Sequence, residues 1–230
     1  MVTVSKNLGI GIYTPSEAAL YARVPTQSLT RWLFGTKSMT PVLRSQFAAE
    51  ERTVSFLDFV QTMWIREIRR QYQVTVPKIR DLVDVMSSKH GIRYPFAREH
   101  KTFVIRHGKH AGNIVLQLAD NRMFQVTGKG KDQQLLGPIA ELYMDKLTFG
   151  ENGLAIQYRP LTSEGAGAIV MDPRIHFGEP YVEECRYTAR TLYEASINEG
   201  GFENAAREYG VEPKHVKLAC EFFGTLDLAA

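Results

Sequence analysis

Hydrogen-bonding side chains cluster on a short stretch near the beginning of the chain, between residues 26 and 31. Arginine, glutamine and hydroxyl side chains can read the edges of base pairs in the major groove of DNA. The free N–H groups at the beginning of a helix can also hold a phosphate. The candidate DNA-binding residues of this stretch are Thr26, Gln27, Ser28, Thr30 and Arg31.

Five basic residues farther along the chain form a second candidate set. Arg66 shares a predicted helical face with Arg69 or Arg70, and cations at this spacing could contact phosphates without reading the base sequence. A solvated helix face explains the same pattern equally well. The five residues are Arg66, Arg69, Arg70, Lys78 and Arg80.

A basic hairpin is predicted between residues 102 and 118, around a glycine-containing turn at 108–112. Its cations could reach a neighbouring phosphate or a minor groove, as the wing of a DNA-binding domain does. His107 and His110 also lie here, but a protein metal site needs a third ligand, and none is evident in the sequence. We therefore expect no metal and no cofactor.

Recognisable catalytic motifs are missing from the sequence. It contains no glycine-rich phosphate loop ending in lysine and serine or threonine, no nucleophile elbow and no zinc-ligand spacing. Asp172 and Glu179 each precede a proline, so they are better interpreted as turn formers than as an acid–base pair. We expect that the protein is not an enzyme.

A helix-turn-helix is predicted to hold the first candidate set. Thr14 and Glu17 can form a capping box, and Pro15 suits the first position of a helix. A second helix is predicted over Thr26–Leu33, ending near Gly35. Polar side chains on this second helix would then face outward on an element slim enough for the major groove.

Four apolar residues are spaced to pack the two helices together. Ala19 is small enough to let the second helix approach the first. Val24 and Leu29 would fill the corner between the helices, and Trp32 would cover the core behind them. A helix pair that only packs, without touching DNA, is the alternative interpretation.

The other elements are predicted from hydrophobic periodicity and from the positions of glycine and proline. Further helices are expected at 55–72, 76–90, 135–147, 188–198, 202–209 and 213–223. Strands are expected at 103–105, 113–118, 124–126, 154–158 and 168–171, with a linker at 159–167. Six residues of the last two helices are predicted to be core: Phe202, Ala206, Tyr209, Val216, Ala219 and Phe222.

The net charge of +3 hides an asymmetry along the chain. Residues 1–110 carry 17 Lys and Arg against 8 Asp and Glu, whereas residues 111–230 carry 11 against 17. A basic half attracts phosphate, and an acidic half suits a basic protein partner better than DNA. Two solvated surfaces of opposite charge are the alternative.

The segment Ser16–Leu33 resembles the helix-turn-helix of MerR-like regulators, in which a two-helix unit ends with an arginine and a tryptophan. Here these are Arg31 and Trp32, and the turn is two or three residues shorter than is usual in that family. The resemblance covers about twenty residues. It implies that the helix beginning at Thr26 reads DNA.

A second resemblance involves about 55 residues of the C-terminal part. The run Met171–Val182, the sequence Tyr187-Thr188-Ala189 and the run Tyr209–Ala219 are similar to the domain of unknown function 433. Glu183-Glu184-Cys185 departs from that pattern, which usually has a basic residue, a glycine and a threonine. The family is associated with VapB-type antitoxins, the partners of PIN-type ribonuclease toxins.

Together these features predict an α+β protein that is mostly helical, with short antiparallel strands in the middle. Residues 1–100 would form the DNA-binding domain with two supporting helices, 101–160 a small strand-rich region, and 168–230 a C-terminal three-helix domain of antitoxin type. The resemblances imply an antitoxin that represses its own operon and neutralises a PIN-type toxin. Because operators are usually two-fold symmetric, we expect a homodimer.

The expected location is the reducing cytoplasm, since the two cysteines, Cys185 and Cys220, lie far apart and make no disulfide framework. We also expect no signal peptide and no membrane span, because no apolar run approaches about 20 residues. Two other functions remain open. One is a stand-alone MerR-like regulator that binds a small ligand in the region 101–160. The other is a protein-interaction module that never contacts DNA.

Overall fold

The protein is α+β, with helices and two small antiparallel sheets. The computed structural model describes residues 9–47, 51–107, 110–119, 123–125 and 144–227. The chain divides into two compact units, one formed by residues 14–155 and the other by residues 1–13 together with 156–230. We call them the first and the second unit. The division into residues 1–100, 101–160 and 168–230 stays a prediction.

The first unit begins with four helices and continues with strands. The helices are α1 (Pro15–Ala22), α2 (Thr26–Phe34), α3 (Phe56–Tyr72) and α4 (Val76–Asp84). The strands are β1 (His100–His107), β2 (His110–Leu118), β3 (Met123–Gln125) and β4 (Leu147–Phe149). Most of the predicted helix 135–147 lies outside the described residues, and its last residue, Leu147, belongs to β4 instead.

Capping boxes begin α1 and α3. The Thr14 hydroxyl accepts a hydrogen bond from the Glu17 N–H at 3.2 Å, and the Glu17 carboxylate accepts one from the Thr14 N–H at 2.9 Å. Ser55 and Asp58 form the same reciprocal pair at the beginning of α3. These local contacts satisfy N–H groups that no helix carbonyl can reach, so both helices begin where the sequence predicts.

The helix α4 begins at Val76 as predicted, but the Thr75 side chain makes no capping hydrogen bond. Its regular hydrogen bonding ends at Asp84, and a π-helical turn continues from Val85 to Lys89. The helix ends before Gly91. The φ of Gly91 is +68°, a conformation that glycine adopts without steric cost. The predicted extent, 76–90, is therefore close, although the hydrogen-bond pattern changes within it.

The core of the first unit joins α3 to β1. The Trp64 ring stacks on Phe96 with centroids 3.7 Å apart, and its indole N–H donates to the Thr102 hydroxyl at 3.2 Å. His100 is buried next to them, with Nδ1 lying 2.6 Å from the Arg98 carbonyl oxygen. Burial lowers the pKa of His100 to about 4, because the charged form would lose its hydration.

The first sheet has the antiparallel order β1–β2–β3, and its first two strands are longer than predicted. Thr102 lies opposite Leu116, and a bulge interrupts the register between Val104 and Arg106. The consecutive side chains of Ile114, Val115 and Leu116 are all buried, so both faces of β2 are covered at this point.

The second unit contains a small sheet and three helices. The strands are β5 (Ala155–Ser163), which begins at the boundary of the units, β6 (Gly167–Met171) and β7 (Tyr181–Val182), antiparallel in that order. The helices are α5 (Ala189–Asn198), α6 (Phe202–Tyr209) and α7 (Pro213–Asp227). All three begin within one residue of the predicted positions.

The predicted linker at 159–167 is wrong, because these residues complete a β-hairpin. Strand β5 continues through Pro160 to Ser163, and Gly167 already belongs to β6. Pro160 lacks an N–H for the sheet, and it lies where the register shifts between Tyr158 and Leu161. The proline and glycines therefore mark a bulge and a tight turn rather than a separate segment.

Four of the six core residues predicted for α6 and α7 are buried: Ala206, Val216, Ala219 and Phe222. The prediction is wrong for Phe202, which is 38% exposed, because Ala205 and Ala206 form the packed face of the short helix α6. Tyr209 is half-buried, and its ring packs edge-on against the ring of Tyr187, with the two ring centroids 5.5 Å apart.

Glu183 forms an ion pair within the second unit. Its carboxylate accepts two hydrogen bonds from the Arg159 guanidinium of β5, one of them at 2.7 Å. These bonds hold the pKa of Glu183 below its usual range.

Within the described part of the chain, no helix has the length and apolar character needed to cross a membrane.

Candidate nucleic-acid interface

The helix α2 is anchored to the first unit by three apolar side chains. Leu29, Trp32 and Leu33 are buried, with only 3% of Trp32 exposed. Ala19 of α1 is buried as well, and its carbonyl oxygen accepts a hydrogen bond from the Val24 N–H at 3.0 Å. Ala19, Leu29 and Trp32 are therefore buried as their spacing predicts, whereas Val24 is only half-buried. The helix-turn-helix arrangement itself stays a prediction.

The opposite face of α2 is open. Thr26, Gln27 and Arg31 are exposed, while Ser28 and Thr30 are half-buried. Pro25 at the N-cap provides no side-chain cap, so the first N–H groups of the helix remain available to an acceptor such as a phosphate. The arrangement presents donors and acceptors on a slim helix, which is what a major-groove reader requires.

Arg66 is engaged inside the unit rather than presented to solvent. Its Nη1 donates to the carbonyl oxygen of Ala22 at 3.0 Å, and its Nη2 contacts Glu67 at 3.2 Å. Only 25% of the side chain is exposed. A cation near the last carbonyls of a helix is favourable, so Arg66 fixes the end of α1 against α3.

Arg69 and Arg70, at the end of α3, are both exposed. The guanidinium carbon of Arg69 lies over the ring of Trp32, and Arg70 is 72% exposed with a weak 3.5 Å contact to Glu67. Of the second predicted set, these two side chains present the most accessible charge. They could bind phosphate without losing a strong internal contact.

Lys78 and Arg80, on α4, are half-buried. The Nη2 of Arg80 donates to the carbonyl oxygen of Thr40 at 3.1 Å, which fastens the segment after α2 to α4. The predicted phosphate contacts of these two residues stay predictions. For Arg80 the structure adds a positioning role that was not predicted.

A tight turn directly after α2 adds a candidate that the sequence reasoning missed. The Thr36 N–H donates to the Met39 carbonyl oxygen at 2.8 Å, and the exposed Lys37 lies at the tip. Gly35 permits this turn, because its φ is +73° and an added Cβ would lie 2.5 Å from the Met39 oxygen. The signal was present in the glycine that ends α2 and in the polar residues after it.

The predicted basic hairpin is β1 and β2, but its tip, Gly108 and Lys109, lies outside the described residues. Lys101 at its base is exposed. Across the described ranges, no group of three His, Cys, Asp or Glu side chains is arranged to hold a metal ion.

The two units carry charge of opposite sign. The first unit contains 20 Lys and Arg against 13 Asp and Glu, a net of +7, whereas the second contains 8 against 12, a net of −4. The charge asymmetry seen along the chain therefore follows the structural division. A polyanion is attracted to the first unit and repelled by the second.

The comparisons with known proteins establish the fold and leave the function open. No family model matches the chain. It is 24% identical over 231 residues to the uncharacterized protein Rv2308 of Mycobacterium tuberculosis, a match that covers 96% of this chain and 93% of that protein. The crystal structure of Rv2018 from the same organism is similar, with a TM-score of 0.56. The two are 17% identical, and the match covers 93% of this chain and 99% of Rv2018.

Proposed function

We propose that the protein binds double-stranded operator DNA through α2 and acts as the antitoxin of a toxin–antitoxin pair. It would repress its own operon and neutralise a PIN-type ribonuclease toxin in the cytoplasm. The observation that carries the DNA-binding part is the division of α2 into a buried face and an open polar face. Leu29 and Trp32 hold the helix, while Gln27 and Arg31 are left exposed.

Three further observations support contact with DNA. The first turn of α2 has no side-chain cap, which favours a phosphate at that end. Lys37 on the following turn adds positive charge close to α2 in the sequence, and the exposed Arg69 adds it through direct contact with Trp32. Arg70, beside Arg69 at the end of α3, is exposed as well. The first unit as a whole has a net charge of +7 by composition.

The toxin-binding part of the proposal rests on the second unit. The segments that resemble the antitoxin-associated domain, Met171–Val182 and Tyr209–Ala219, both belong to it. Its negative net charge suits a ribonuclease, whose nucleic-acid site must be basic. A protein that covered such a site with acidic groups would block access of RNA.

A two-fold symmetric operator would be bound by two copies of the chain, each placing one α2 in successive major grooves. We therefore propose a homodimer as the DNA-binding form. Sedimentation of the complex with its own upstream DNA would give the number of chains per duplex.

The proposal is tested by combining a gel shift with co-purification. We expect the full chain to retard its own upstream DNA at a concentration that leaves a scrambled duplex free. We also expect it to co-purify with the product of an adjacent PIN-like reading frame and to inhibit that product's ribonuclease activity. Failure to bind the upstream DNA, or failure to bind the PIN-like product, would contradict the antitoxin proposal.

A stand-alone regulator that responds to a small ligand is the second candidate function. An open cleft between the last turn of α2, residues 40–47 and α4 favours it. The neighbouring reading frame separates the two: a toxin-like neighbour whose product binds this chain supports the antitoxin, and DNA binding without such a neighbour supports the regulator.

A further inference from the structure

An open cleft of about 490 Å³ lies within the first unit, between the last turn of α2, residues 40–47 and α4. Its apolar lining comes from Leu33 and Phe34 of α2 and from Pro41, Val42 and Phe47. This volume falls in the range of small-molecule sites, which run from about 300 to 1,000 Å³. The cleft is separate from the exposed residues Gln27 and Arg31.

Two arginines give the cleft a cationic side. Arg44 and Arg80 both line it, and the Nε of Arg80 is buried with no hydrogen-bond partner in the described chain. A buried, unpaired guanidinium N–H is costly, because it has lost water without gaining an acceptor. An anionic oxygen in the cleft would satisfy it once the Arg80 side chain shifts toward the cleft.

The remaining charged residue of the lining is Asp84, one turn after Arg80 on α4. Two arginines and one aspartate leave a net charge of +1 around the cleft, which a monoanion neutralises, whereas a doubly charged phosphate ester would leave one uncompensated negative charge there. The planar fork of an arginine also matches a carboxylate in geometry.

We propose that this cleft binds a small amphipathic carboxylate, with the carboxylate on Arg80 and Arg44 and an aromatic or aliphatic body between Phe34, Val42 and Phe47. On the scale of sites of this volume, the ligand would have roughly ten to twenty non-hydrogen atoms.

An occupied cleft would act on α2 through two hydrogen-bonded connections. The N–H groups of Val42 and Leu43 both donate to the carbonyl oxygen of Trp32, at 2.8 and 3.0 Å, which ties residues 40–43 to the last turn of α2. Arg80 holds the same segment through the Thr40 carbonyl oxygen. A carboxylate on Arg80 competes with that oxygen, so ligand binding changes the support of α2. This coupling rests on the proposed DNA-binding function, whereas the binding site itself does not.

The site is tested with probes in the absence of DNA. The full chain is titrated calorimetrically with benzoate, 2-naphthoate and biphenyl-4-carboxylate, and with neutral 2-naphthamide, which has the same shape as 2-naphthoate. We expect 2-naphthoate to bind at least about tenfold more tightly than 2-naphthamide, because the neutral amide has one acceptor oxygen and no charge to pair with the arginines. No binding by any of the three carboxylates, or equal binding of the acid and the amide, overturns the proposal.

Variants locate the bound probe. Arg44→Gln removes an exposed cation of the lining, and we expect it to weaken 2-naphthoate binding by about threefold or more. Arg80→Gln should weaken it by about tenfold, with the melting temperature checked because Arg80 also holds Thr40. Lys89→Gln, an exposed charge outside the lining, is the matched control and should leave binding unchanged. Equal binding by Arg44→Gln, Lys89→Gln and the unchanged protein overturns the assignment.

The coupling is tested separately by titrating DNA with and without saturating 2-naphthoate. We expect the affinity for the protein's own upstream DNA to change by at least about threefold, and to stay constant in Arg80→Gln. If the affinity for DNA is unchanged although the probe is bound, the coupling is overturned. The calorimetric titration then still decides whether the cleft is a binding site. A chain that binds the probe but no DNA at all contradicts the proposed function rather than the site.

Discussion

The guanidinium carbon of Arg69 lies 5.6 Å from the centroid of the Trp32 ring. Trp32 is the buried anchor of α2, and Arg69 belongs to the last turn of α3. The pair therefore joins the candidate recognition helix to the helix behind it. An attraction between a cation and an indole face is favourable, so the orientation of α2 depends on α3.

Replacing Arg69 by alanine should destabilise the protein by about 0.5–1 kcal/mol, because an exposed cation–π contact contributes that much. Urea unfolding followed by fluorescence measures the change. Arg70→Ala is the matched control: it removes an equal charge one residue later, from a side chain that contacts Glu67 rather than the Trp32 ring. Equal losses from the two substitutions would show that the Trp32 contact contributes nothing.

Replacing Gly35 by alanine should destabilise the protein by at least about 2 kcal/mol, because it adds both a clash and the strain of a backbone with φ +73° and ψ −159°, which side-chain-bearing residues rarely adopt. The new Cβ would lie 2.5 Å from the Met39 carbonyl oxygen. Gly91→Ala provides the control, since Gly91 has a φ of +68° but nothing within 4 Å of an added Cβ. It should cost only the strain of about 1 kcal/mol. A Gly35 variant no less stable than the Gly91 variant would contradict the clash.

The buried His100 predicts a loss of stability in mild acid. Its pKa is lowered from 6.5 to about 4 in the folded protein, so the unfolded chain binds the proton more readily between these values. The free energy of unfolding should therefore fall as the pH drops from about 6.5 to 4, by up to about 3 kcal/mol from this group.

Comparing the protein with its His100→Gln variant isolates this contribution from that of the carboxylates. Glutamine can still donate to the Arg98 carbonyl oxygen but does not titrate in this range. Urea unfolding at several pH values should show a steeper decline for the unchanged protein. Parallel curves would mean that His100 has the same pKa in the folded and the unfolded protein, which would contradict the prediction.

The binding of DNA should weaken steeply as salt is added, because each phosphate contact releases condensed counterions. Lys37→Ala should reduce the slope of log affinity against log salt by about one, whereas Gln27→Ala, which removes no charge, should leave the slope unchanged. Anisotropy titrations at four salt concentrations provide the slopes. A flat response in the unchanged protein would remove the electrostatic part of the account.

Much of the first unit could be predicted because its signals are local. The capping box at Thr14 and Glu17 and the apolar spacing of Leu29 and Trp32 involve residues within one or two turns of each other. Gly35, which ends α2, is a signal of the same kind. Such patterns are readable without knowledge of the fold.

The roles of Arg66 and Arg80 could not be predicted because their partners are distant in the sequence. Arg66 contacts the Ala22 carbonyl oxygen across 44 residues, and Arg80 contacts that of Thr40 across 40. Both arginines match a solvated helix face in the sequence, yet their side chains hold other elements in place. The linker predicted around Pro160 is wrong for a different reason: proline is typical of linkers, but a strand tolerates it beside a bulge.

The central claim is that the exposed face of α2 reads DNA, and one measurement tests it most directly. Fluorescence anisotropy at a fixed salt concentration compares the unchanged protein with Gln27→Ala and Arg31→Ala, on its own upstream DNA and on a scrambled duplex. We expect each substitution to weaken specific binding by about 1–3 kcal/mol and to change binding to the scrambled duplex far less. Unchanged specific binding in both variants would contradict the claim.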